Sequence, residues 1–403
     1  FWLKHWRHRS APHAHPRSSR QLQHSLAMAA AQNGNMSDEY GKMDDAGETA
    51  VVDEFVLDSG RVLSKVEVRY NCWGALSETR DNAIVVCHAL TGNANAQSWW
   101  GQLIGPCKPL DTRNFMVFCS NVLGSCYGTT GPASVDPRTG QRYGATFPKV
   151  TIRDMVRLQA EVLRQLGVKE VVCVIGGSMG GMQALEWGLE VQNPKVKSIA
   201  SLSASGRHHP WQIGISECQR EAIRADPLFK GGNYSPDAPP NSGLAVARMM
   251  AMLTYRTHPA YWTKFGRVMV QTQQQRTFDV ENYLRQQGLK FVARNFDPMA
   301  YIRLTEAMDS HDVERSRGSY TDVLRSVSVP TLIVSISSDV LYPMSEQLEL
   351  ADHIPNAQHH LIQSNEGHDG FLLEHVKVGT LLRGFLAQVV PCDPNTGLMP
   401  SKL

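Results

Sequence analysis

The chain is expected to fold as an α/β protein built on a largely parallel sheet with helices on both faces. Short β-branched apolar runs recur at Ala83–Cys87, Met116–Val122, Val171–Ile175, Val196–Leu202 and Thr331–Ile336, as in strands covered on both sides. Helix-spaced patterns lie between them, such as Ile152, Met155, Val156, Leu163 and Leu166. Strands that alternate with helices pair most simply in parallel through crossovers.

In chain order, residues 1–45 read as an extension rather than part of the fold. They are polar and serine-rich, and residues 1–37 carry Lys4, Arg7, Arg9, Arg17 and Arg20 with no Asp or Glu. This acid-free start is consistent with an organellar transit segment or with upstream read-through before Met28, Met36 or Met43; Pro12 and Pro16 spoil a clean amphipathic helix, which favours read-through. Residues 46–205 and 320–390 are assigned to the α/β core. Residues 206–319 lack a strand signal and carry helical segments, "LAVARMMAMLTYR" and "VENYLRQQGLKFVARN", so they are read as an inserted helical lid. Residues 391–403 are read as a flexible tail.

The 403 residues are 42% hydrophobic and 19% charged, an ordinary globular composition. The net charge of +2 is concentrated at the start, with +5 in residues 1–37 and −3 in the rest, so the body offers no basic surface for nucleic acid. No apolar run reaches the ~18 residues that a membrane span needs. Eight cysteines are scattered without a C-x-x-C pair, which fits a reducing compartment, and Cys and His show no zinc-type spacing. Neither a metal nor a tightly bound cofactor is expected.

The chemistry is concentrated at "VVCVIGGSMGGMQALEWGLE". Gly176-Gly177-Ser178-Met179-Gly180 fits G-x-S-x-G, a tight strand-to-helix turn in which strained backbone leaves no room for bulky neighbours and lifts one serine above the sheet. Ser178 is the candidate nucleophile. In the α/β-hydrolase arrangement an acid and then a histidine follow the serine, each in a loop after a later strand. Asp339 follows "TLIVSIS", and His368 follows "HHLIQ" within "SNEGHDGF". They are the candidate orienting acid and general base. An oxyanion needs two backbone donors. Met179 supplies one and Leu90, in "HALTGNANAQSWW", the other; His88 in that loop reads equally well as a packing residue.

These residues resemble the homoserine O-acetyltransferases of the α/β-hydrolase superfamily. The matching stretches are "NAIVVCHALTGNANA", "NVLGSCYGTTGPAS", "YGATFPKVTIRDMVRLQ", "GGSMGGMQALEW", "GLAVARMMAMLTYR" and "NEGHDGFLLE", spread over roughly residues 50–390. The resemblance implies acetyl transfer from acetyl-CoA, as co-substrate, to the L-homoserine hydroxyl, an early step of methionine synthesis. It implies Ser178 as nucleophile, His368 as base and acid, and Asp339 as orienter. It further implies that Arg248 holds the substrate carboxylate and Asp369 its amine, with Tyr255 a weaker candidate for the same pocket. A zwitterionic substrate does need one fixed cation, ideally a guanidinium, and one fixed anion. A lone arginine on a lid helix would otherwise be read as a surface charge.

The resemblance also implies a homodimer formed through the lid, for which exposed Met249, Met250 and Met252 would supply an apolar patch. The same scaffold serves succinyl donors and serine or deacetylcephalosporin C acceptors; an esterase and a non-catalytic binding protein are the more distant readings. A cytoplasmic enzyme is expected, with peroxisomal import as the alternative because Ser401-Lys402-Leu403 spells a peroxisomal address and suggests a eukaryotic source.

Overall fold

A computed structural model describes residues 46–272 and 275–390. The N-terminal extension and the tail with its Ser-Lys-Leu therefore lie outside the described residues. The core is a nine-stranded sheet: β1 (Glu48–Val56), β2 (Val62–Trp73), β3 (Ala83–Cys87), β4 (Met116–Ser120), β5 (Glu170–Gly177), β6 (Lys195–Val196), β7 (Ile199–Leu202), β10 (Thr331–Ile336) and β11 (Ala357–Ile362). Their order is β1-β2-β4-β3-β5-β7-β10-β11, with β6 on the lower end of β5. From β4 to β11 every pairing is parallel, whereas β1 and β2 join in antiparallel.

The five apolar runs all fall on strands, but two break early. The run Val196–Leu202 is split into β6 and β7, and Ser198 between them turns its hydroxyl onto the Val172 carbonyl at 2.7 Å. The run after Met116 leaves the sheet at Asn121, whose side chain accepts from the Ala94 N–H.

Helices flank the sheet. They are α1 (Ala96–Trp100), α2 (Ile152–Gln165), α3 (Met179–Glu190), α9 (Tyr320–Arg325), α10 (Met344–His353), α11 (Gly370–Leu373) and α12 (His375–Val389). Thr151 starts α2 with a reciprocal capping box to Asp154, satisfying N–H groups that the first turn would orphan. Trp100 of α1 and Leu382 and Phe385 of α12 are buried in one apolar cluster with Ile84, Val117, Ile175 and Val334 of the strands.

Between β7 and β10 the chain forms α4 (Pro210–Arg224), α5 (Asn241–Tyr255), α6 (His258–Phe265), α7 (Asp279–Ala293) and α8 (Pro298–Asp309). This block is not purely helical. A two-stranded hairpin, β8 (Met269–Gln271) with β9 (Arg276–Phe278), stands within it, and strands this short carry no readable alternation. Helix α5 is held between α4 and α7. Met252 on it is fully buried, against the expectation that it is exposed. The apolar residues that α5 does show are Val246 and Leu253, with Met249 and Met250 half-buried.

Candidate active site

Ser178 caps α3 at the end of β5 with φ 58° and ψ −126°, a region costly for any residue with a Cβ. The turn tolerates it because its neighbours have no side chains. A Cβ on Gly176 would lie 2.3 Å from the Gly180 carbonyl carbon, and one on Gly180 would lie 2.2 Å from the Cys87 carbonyl oxygen. The serine is thus pressed to the top of the sheet at the start of a helix, where the Met179 N–H has no intrahelical acceptor and the helix dipole favours negative charge.

Asp339 and His368 meet as the chain order implies. Asp339 Oδ2 lies 2.7 Å from His368 Nδ1, while Oδ1 accepts from the N–H groups of Leu341 and Tyr342, both at 2.9 Å. The carboxylate therefore assigns the ring proton to Nδ1 and leaves Nε2 as the basic nitrogen. Nε2 is buried and meets no hydrogen-bond partner among the described residues. The imidazole is boxed by Tyr342, Tyr255 and the edge of Phe371, at centroid distances of 5.1, 5.9 and 5.5 Å. Phe371 also closes on the nucleophile turn, since a Cβ on Gly177 would lie 2.2 Å from its ring. The residue before Ser178 and the ring of His368 thus share one aromatic neighbour.

The loop after β3 is fixed from inside. His88 Nδ1 donates to the Ala89 carbonyl at 2.8 Å and Nε2 accepts from the Val122 N–H at 3.1 Å. Burial pushes this imidazole down to about 4, so it is a neutral brace and not an acid or base. Leu90, two residues further on, is buried, and Gln183 ties this loop to the start of α3 by bonding the carbonyls of His88 and Met179.

Arg248 is not a surface charge. It is 1% exposed, its Nη1 reaches Thr91 Oγ1 at 3.5 Å, and its guanidinium lies over the rings of Phe291 and Tyr255 at 5.3 and 5.5 Å. Helix α5 of the inserted block thereby sends a cation to the loop that carries Leu90. Asp369, also buried, sits in the loop of His368, and Arg256 Nε lies 3.1 Å from its Oδ2. The sequence motifs gave no reason to single out Arg256, Thr91 or Tyr342. Their signal is tertiary, because each comes from a different loop. Arg256 and Glu366 also line a cleft of about 670 Å³ with Tyr261, Lys264 and Tyr283; His368 and Asp369 are not among its lining residues.

Among the described residues no cluster of His, Cys, Asp or Glu could hold a metal ion, and no helix is long and apolar enough to cross a membrane.

Residues 82–374 match the family model of the alpha/beta hydrolase fold. A homoserine O-acetyltransferase of Nostoc punctiforme is 52% identical over 334 residues, which is 82% of this chain and 92% of that one. The crystal structure of the homoserine O-acetyltransferase from Bacillus anthracis superimposes with a TM-score of 0.80 at 25% identity, covering 85% of this chain and 98% of that one. Esterase E22 superimposes with a TM-score of 0.78 at 24% identity over 84% of this chain and 99% of its own, a likeness of fold. With the strand order, the serine turn and the aspartate–histidine pair in place, the chain belongs to the homoserine O-acetyltransferase family of the α/β-hydrolase fold.

Proposed function

We propose that this protein transfers an acetyl group from acetyl-CoA to the hydroxyl of L-homoserine through an acetyl-serine intermediate. The observation that carries the reading is the pairing of an Asp339–His368 dyad with a buried guanidinium from the lid. A plain esterase has no need of a buried cation, whereas an amino-acid acceptor does.

Ser178 attacks the thioester carbonyl while its proton passes to His368 Nε2. The tetrahedral oxyanion is held by the N–H groups of Leu90 and Met179. As it collapses, the CoA sulfur leaves with the proton from His368, and acetyl-serine remains. The homoserine hydroxyl then gives its proton to His368, attacks the ester carbonyl and displaces Ser178, which recovers the proton. Asp339 keeps the imidazole in the productive tautomer throughout. Arg248 takes the acceptor carboxylate and Asp369 its ammonium, with Tyr255 walling the pocket. Because water competes for the acetyl-serine, the aromatic box around His368 and the lid helices serve to keep the site dry.

Acetyl-CoA and homoserine are the substrates on this reading, and a homodimer through the stripe of exposed Val246 and Leu253 and half-buried Met249 and Met250 on α5 is its assembly. Release of CoA from acetyl-CoA with and without homoserine tests the activity: strong dependence on homoserine supports transfer, and equal rates point to hydrolysis. Light scattering at micromolar concentration tests the dimer.

A further inference from the structure

Arg256 joins the lid to the histidine loop. It is the C-cap of α5, with extended backbone at φ −111° and ψ 177°, so the helix ends and its side chain turns out of the helical rows. Its Nη1 bonds the Glu366 carboxylate, and its Nε contacts Asp369 Oδ2 at 3.1 Å. The Arg256 side chain is 11% exposed and that of Asp369 is 4%, against 40% for Glu366. The inner half of this clamp is therefore out of water, where a charge pair is weakly screened, and the outer half borders the cleft.

The neighbours of Arg256 extend the grip. Thr257 Oγ1 donates to the Asn365 carbonyl at 2.6 Å. Gly367, at φ +68°, comes so close that a Cβ there would lie 2.8 Å from the Tyr255 carbonyl oxygen and 3.1 Å from the Arg256 carbonyl carbon. Residues 255–257 thus seize residues 365–369, the loop that carries His368 and Asp369. About two turns before the clamp, the same helix carries Arg248. A helix is stiff, so the point where its end is anchored decides how far Arg248 stands from Asp369.

We infer that Arg256 is a positioning residue for recognition of the acceptor amino acid: by tying the end of α5 to Asp369, it sets the spacing between the cation that takes the carboxylate and the anion that takes the ammonium. The inference rests on the roles given above to Arg248 and Asp369. Arg256 acts through them, so its effect belongs to the second half-reaction. The sign of that effect is diagnostic. If Arg256 only competed with the ammonium for Asp369, removing its charge would tighten acceptor binding; if it sets the spacing, removal weakens it.

The test uses the full chain carrying Arg256→Gln, Arg256→Lys or Glu366→Gln, with rapid mixing to follow acetyl-enzyme formation from acetyl-CoA and its discharge at increasing homoserine. In Arg256→Gln the half-saturating homoserine concentration should rise ~10-fold or more, since misplacement of an ångström is that costly, while acetyl-enzyme formation stays within ~2-fold. Arg256→Lys should recover part of the loss. Glu366→Gln, which breaks the exposed half of the clamp only, should give a smaller rise and decides the matter should Arg256→Gln fail to fold. Equal losses in both half-reactions, a fall in the homoserine requirement, or an unchanged requirement in Glu366→Gln would overturn the inference while wild type still turns over. Failure of wild type to form an acetyl-enzyme would overturn the underlying reading instead, and this inference with it.

Discussion

Gln183 donates its side-chain amide to the main-chain carbonyl of His88 at 3.2 Å, from a site with no solvent exposure. It also donates to the Met179 carbonyl at 3.2 Å and accepts from Gln159, whose Oε1 takes the Trp187 indole N–H at 2.9 Å. One helix residue therefore ties together the two segments that contain the proposed oxyanion donors, Leu90 and Met179. Replacing Gln183 with Leu leaves the His88 carbonyl without this donor and the Gln159 amide without its acceptor. Stability should fall by ~1–3 kcal/mol, and the rate of acetyl-enzyme formation by ~10-fold or more as the donors lose their alignment. Denaturant titration and single-turnover kinetics read the two effects; a destabilised variant with an undiminished rate would free the oxyanion site from this network.

Arg248→Lys tests the proposed carboxylate site. Lysine keeps the charge but loses the planar fork, and it stacks less well on Phe291 and Tyr255. A loss of ~1.5–3 kcal/mol in kcat/KM for homoserine is expected from a missing charge-assisted bond, with acetyl-enzyme formation nearly unchanged. Equal damage to both half-reactions would move Arg248 from acceptor binding to support of the lid.

A pH effect on stability is expected from Glu346. Burial pushes its carboxyl up to about 7 from 4.5; the bond from Gln212 opposes this, and the nearby charges of Asp339 and Glu349 add to it. The folded state therefore prefers the protonated acid. Its contribution is fully present below pH 4.5 and is lost as pH rises through about 7. Glu346→Gln keeps an acceptor for Gln212 without the charge. It should be more stable than wild type at alkaline pH by ~1–3 kcal/mol and show a flatter profile across the intervening range. Urea titrations at several pH values measure this, and a variant that is less stable at alkaline pH would contradict it.

What the sequence made legible follows from burial. Strands β3, β4, β5, β7 and β10 are buried at nearly every position, so they read as continuous apolar runs. The edge strand β1 and its neighbour β2 mix exposed and buried positions, and the charges among them hid the strands. The serine turn and the Asp339–His368 order were readable because local backbone chemistry and chain order carry them. Arg248 was named through the family resemblance alone, since a helix pattern does not say that an arginine will be 1% exposed. Arg256 stayed hidden for a related reason: its partners Glu366 and Asp369 lie more than a hundred positions further on, and no spacing rule connects them.

On the proposed mechanism the strained turn carries a covalent acetyl-serine between the two half-reactions. Intact wild-type protein mixed with acetyl-CoA alone should gain one acetyl mass, mapped by peptide mass spectrometry to the segment containing Ser178. Homoserine should discharge it as O-acetylhomoserine much faster than water does, and Ser178→Ala should take up no label and lose activity by several orders of magnitude. Product formed at full rate with no acetyl adduct on Ser178, or undiminished by Ser178→Ala, would contradict the account.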